Sequence, residues 1–157
     1  MSSQLRRYQD YLAVSGTGVI VFSFWSLIKT LVYYIRPAAI MKMLESMDLT
    51  YSKKDMARYM LFMLAYMVVI TAVRIYVGRC AIIEGRAGKK GIIYVFLAFC
   101  LLAESIYTIT GYIDIEEGIG TDIIISSFLE ELVSFLINCD LMFSLWKVRS
   151  IERRQKQ

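Results

Sequence analysis

The stretch from Asp122 to Trp146, DIIISSFLEELVSFLINCDLMFSLW, constrains this chain more than any other part of it. It is long enough to cross a bilayer core as a helix, which takes roughly 20 mostly apolar residues. It also carries Glu130, Glu131, Asn138 and Asp140. Its Leu, Ile, Phe and Val side chains favour insertion by roughly 4 to 8 kcal/mol in all, while each ionised acid near the centre costs about 2.5 to 3.5 kcal/mol. These contributions nearly cancel. Such a helix holds in lipid only where other helices cover its polar side or an acid is neutralised.

The rest of the chain supplies those helices. Of 157 residues, 57% are hydrophobic, against 45–50% in ordinary soluble domains, and mean hydropathy is +0.53. Apolar runs at about 11–35, 57–78, 92–113 and 122–146 predict an all-α, polytopic membrane protein. Its fold is a four-helix antiparallel transmembrane bundle forming one membrane domain over residues 1–157. The first run is too long for a signal-peptide core and lacks a small-residue cleavage site at its end, so it reads as a retained anchor. Ser15, Gly16, Thr17 and Gly18 near its start are small enough to predict a close helix–helix contact.

Between the first two runs, Pro37 ends a helix. Ile40, Met43, Leu44 and Met47 then recur at i, i+3, i+4 and i+7, predicting a short interfacial amphipathic helix over 38–47. Ser52 and Asp55 have the spacing of a capping box for the next helix. Between the last two runs, Asp114 to Asp122 forms an acidic turn. It has no glycine at the sixth position of an EF-hand and carries Ile125 where the bidentate glutamate belongs, so no metal site is expected there.

Basic residues fix the orientation. Arg6 and Arg7, then Arg79, Arg86, Lys89 and Lys90, then Lys147, Arg149, Arg153, Arg154 and Lys156 all fall on one side of a four-span bundle. The other side has Arg36, Lys42, Lys53, Lys54 and Arg58. The positive-inside rule therefore places both termini in the cytoplasm, with the plasma or cytoplasmic membrane as the expected location. Arg79, Arg86, Lys89 and Lys90 are the expected contacts for lipid head groups. The net charge of +4 is spent on this asymmetry, and no basic patch interleaved with aromatics points to nucleic acid.

Inside the bundle, Ser127, Glu131, Ser134 and Asn138 recur at i, i+4, i+7 and i+11 and share one helical face, with Glu130 on its flank. Counting along the helices sets Lys29, Glu104 and Glu131 in one layer, and Arg74 with Asp140 as an inner-leaflet ion pair. Lipid cannot satisfy such a stripe, so it faces protein or a water-filled space. Three cysteines without paired spacing and a complete lack of histidine argue against zinc chemistry and histidine-based catalysis. No cofactor is expected, and no enzyme.

Two functions fit these residues. One is a non-enzymatic bundle subunit or partner-binding membrane protein, a homodimer or part of a larger membrane complex. The other is a small, dimeric, proton- or cation-coupled transporter working through Glu104 with Glu130 or Glu131.

Overall fold

A computed structural model describes residues 3–35, 53–86, 88, 91–113 and 121–155 of the chain. The amphipathic segment expected at 38–47, Ser52 of the capping pair, most of the acidic turn, and Lys89 and Lys90 lie outside the described residues. The described chain is four α-helices without strands. They are α1 (Ser3–Ile35), α2 (Lys53–Gly85), α3 (Ile93–Ile113) and α4 (Thr121–Arg154).

Three of these helices contain segments long and apolar enough to cross a membrane: Ser3–Val32, Leu61–Gly85 and Ile93–Gly111. α4 is not among them, because Glu130, Glu131 and Asp140 interrupt its apolar run. The helices also run well past the apolar segments. α1 begins eight residues before the expected span and α4 continues to Arg154. α2, expected to end near Gly78, continues to Gly85 and is closed by Gly88 N–H donating to the Ile83 carbonyl at 2.9 Å. The fall in hydropathy at Arg79 is therefore not a helix end. Thr71, Arg74, Val77, Ala81 and Glu84 are all buried and continue one inward-facing stripe straight through it.

The helices pack as a ring, α1 against α2 and α4, and α3 against α4 and α2. Paired contacts run in opposite chain directions, as they must in an antiparallel bundle. α1 and α2 meet at their smallest residues. A methyl group added to Gly16 would lie 2.7 Å from the Gly78 carbonyl oxygen, and one on Gly78 would lie 2.6 Å from that of Gly16. Backbones this close are the usual way membrane helices gain van der Waals contact without a hydrophobic drive between them. The small-residue cluster of the first apolar run thus finds its counterpart on α2.

The core is confined to one half of the bundle. Leu5, Leu12 and Val19 repeat every seven residues on α1, and Leu141, Leu145 and Val148 follow at i, i+4 and i+7 on α4. Val77, Cys80 and Ala81 of α2 and Tyr94, Ala98 and Leu101 of α3 complete it. All lie toward the end of the bundle where the described chain starts and stops. At the other end, Leu61, Phe62, Val68 and Val69 of α2 and Ile106 and Tyr107 of α3 are exposed. α2 and α3 are thus tightly covered at one end and largely bare at the other.

Candidate functional site: an ionic interior in layers

Polar side chains tie the helices together at four levels. Nearest the tight end, Glu84 of α2 is buried and accepts two hydrogen bonds from Arg149 of α4, Nε to Oε1 at 2.9 Å and Nη2 to Oε2 at 3.1 Å. The Tyr94 hydroxyl of α3 donates to the same carboxylate, and the Arg149 guanidinium lies over the Tyr94 ring at 5.7 Å. A forked guanidinium on a carboxylate is the strongest such geometry available to side chains. The Glu84 carboxylate holds the Arg149 guanidinium above its ordinary range.

One level further in, the Ser15 hydroxyl of α1 contacts the Asp140 carboxylate of α4. Asp140 is otherwise exposed, on the opposite side of α4 from the buried Ser134 and Asn138. Beside the close pair, Gly18 leaves room for Ile137, whose Cγ2 would lie 3.3 Å from an added methyl.

The third level is the centre of the bundle. Arg74 of α2, buried, donates from Nη2 to Glu104 Oε2 of α3 at 3.1 Å. Tyr66 reaches Glu104 Oε1 at 3.5 Å, the outer limit of a hydrogen bond. The expected Arg74–Asp140 pair is not formed. A depth counted from Gly78 sets Arg74 too near the boundary, because α2 runs on to Gly85. Arg74 precedes that end by eleven residues and Glu104 follows the start of α3 by eleven, so the short turn between them sets the two level. Arg74 lines a small hollow together with Val19, Phe22, Ser134, Ile137 and Asn138. Glu131 sits close enough to feel the charges of Arg74, Glu104, Glu130 and Lys29. Its Oε2 is buried without a hydrogen-bond partner, as is the Arg74 Nε.

At the fourth level, Lys29 of α1 donates to Glu130 Oε2 at 2.7 Å and to Ser127 Oγ at 2.9 Å, both on α4. Ser127 and Glu130 stand three apart and so share the helix face that α1 covers. The lysine was expected to serve the Glu104–Glu131 layer; its partner is instead the residue beside that stripe.

Of the residues expected at lipid head groups, Arg79 and Arg86 are exposed. The knot of Glu84, Tyr94 and Arg149 was not foreseen. Glu84 lies beyond the apolar run that ends at 78 and Arg149 beyond the one that ends at 146, so hydropathy places neither inside the bundle. The signal was present in the inward stripe through Val77 and Ala81, which lands next on Glu84. Among the described residues, no three Asp, Glu or Cys side chains gather closely enough to hold a metal ion.

No protein-family profile, curated protein or solved structure matches the chain. Its class therefore rests on the fold itself: an all-helical bundle in which three helices are long and apolar enough to cross a membrane.

Proposed function

We propose that the chain is an integral membrane protein of four spanning helices with both termini cytoplasmic, and that it acts without catalysis as a partner-binding subunit. For α4 the support is the direction its polar groups take. Glu130 is held by Lys29, and Ser134 and Asn138 are buried, while Asp140, on the exposed side, is met by Ser15. Leu129, Leu136, Phe143 and Trp146 face outward. A helix arranged in this way offers lipid its apolar side.

The observation that carries the subunit reading is the state of Glu104. Its side chain remains 23% exposed in the middle of an apolar helix, between α2 and α3 where they diverge. A carboxylate there is poorly served by acyl chains and well served by another protein. Purification in a mild detergent from the native membrane is expected to return this chain with a stoichiometric second component. Recovery of this chain alone would count against the proposal.

A second reading has its own observation in its favour. The buried, unpartnered Oε2 of Glu131 suits a site that binds and releases a proton or cation during transport. Proteoliposomes decide between the two. Proton or cation flux that disappears in Glu131→Gln establishes transport, and a tight bilayer supports the subunit.

A further inference from the structure

We propose that the open seam between α2 and α3 is a docking groove for a helix of a different membrane protein, one bearing a lysine or arginine near mid-span. The proposal rests on the partner-binding reading above and names the partner's chemistry.

The seam is a gap in the ring rather than an ordinary lipid-facing surface. A helix turns by 100° per residue, so exposure at nearly every successive position leaves most of its circumference bare. On α2, Leu61, Phe62, Met63, Ala65, Tyr66, Val68 and Val69 are exposed, and between them Leu64 and Met67 are partly covered. On the facing helix Ile106 and Tyr107 are exposed, Tyr107 at 81% one turn beyond Glu104, although Ser105 on its other side is buried. Where the gap narrows, the Glu104 carboxylate closes it. Oε2 is taken by Arg74, while among the described residues Oε1 has the long contact to Tyr66, itself one of the exposed side chains of the seam.

Charge then selects the occupant. Among the described residues of the inner layers, Lys29 and Arg74 each already serve a carboxylate, Glu130 and Glu104. Glu131 stands beside Arg74 as a third acid. The interior is therefore one acid richer than its bases. A second copy of this chain brings the same surplus and complements nothing. A foreign helix with one long basic side chain supplies the missing charge and reaches Glu104 Oε1 from the open side, where neither partner meets water.

The test uses the full chain, dye-labelled, in phosphatidylcholine vesicles. It is mixed with a labelled leucine–alanine transmembrane peptide carrying one central lysine, or with the same peptide carrying leucine there. Energy transfer is expected to show the lysine peptide associating about fivefold more tightly, since an interhelical polar contact in lipid is worth roughly 1 kcal/mol. Glu104→Gln abolishes that preference and Asp140→Asn leaves it. Because Glu104→Gln also strips Arg74 of its partner, Tyr66→Lys provides a second check. A lysine built in beside Glu104 is expected to satisfy the carboxylate and erase the preference for the basic peptide.

Equal association of both peptides, or a preference that survives Glu104→Gln, overturns the charge selection while leaving a docking surface. Transfer only between two labelled copies of this chain overturns the foreign helix in favour of self-association. No transfer of any kind means that lipid covers the seam and overturns the proposal, whereas the partner-binding reading falls only if the chain also purifies alone from its native membrane.

Discussion

Lys29 and Glu130 lie 2.7 Å apart, 101 residues apart in sequence, and join the first helix to the last. Both side chains are largely withdrawn from the surface, at 20% and 11% exposure. Removing one partner leaves a charge with no compensation, which costs about 3 kcal/mol for a buried pair. Lys29→Met and Glu130→Gln are each expected to lower stability by about that much in reversible detergent unfolding. The double variant should lose clearly less than the two losses together, with a coupling of about 1 to 3 kcal/mol. Additive losses would show that the two side chains act independently.

The α1–α2 contact predicts opposite signs for one substitution at two glycines. Alanine favours a helix over glycine by about 1 kcal/mol, so Gly111→Ala, with nothing within 4 Å of the new methyl, should be neutral or slightly stabilising. Gly78→Ala places its methyl 2.6 Å from the Gly16 carbonyl oxygen. The helices must separate, and overpacking of this kind costs about 1 to 3 kcal/mol. Thermal unfolding should rank Gly111→Ala above the parent chain and Gly78→Ala below it. A Gly78→Ala protein as stable as its parent would show that α1 and α2 can move apart freely.

At the tight end, the knot around Glu84 predicts a graded response. Tyr94→Phe removes one of three hydrogen bonds to a carboxylate that keeps its guanidinium, a loss of about 1 kcal/mol. Arg149→Met leaves that buried carboxylate without a counter-ion, a loss of about 3 kcal/mol. Adding Glu84→Gln to Arg149→Met should recover part of it. The order of midpoints in chemical unfolding reads this out, and equal effects of the two single variants would argue against the forked pair as the main tie.

The helices were legible in the sequence because long apolar runs have few alternatives, and α4 betrayed its inward side through the spacing of Ser127, Glu131, Ser134 and Asn138. The partners of individual charges were not. Hydropathy reports where lipid ends, while register is set by where the turn falls, and at Arg79 these differ by about two turns of helix. That difference moved Arg74 from Asp140 to Glu104. Lys29 chose Glu130 over Glu131 for an angular reason, since α1 lies on the flank of the polar stripe. The divergence of α2 from α3 left no trace in residue spacing, because a periodic pattern marks the side a helix can bury and not whether a neighbour arrives to bury it.

The Lys29–Glu130 contact also sets an order of events during synthesis. At roughly 5 to 20 residues per second, a ribosome that has just made Lys29 needs roughly 5 to 20 s to reach the acid that will neutralise it. The ion pair therefore cannot close until α4 has been made, 101 residues after Lys29, and the tie between the two helices is set only once both exist.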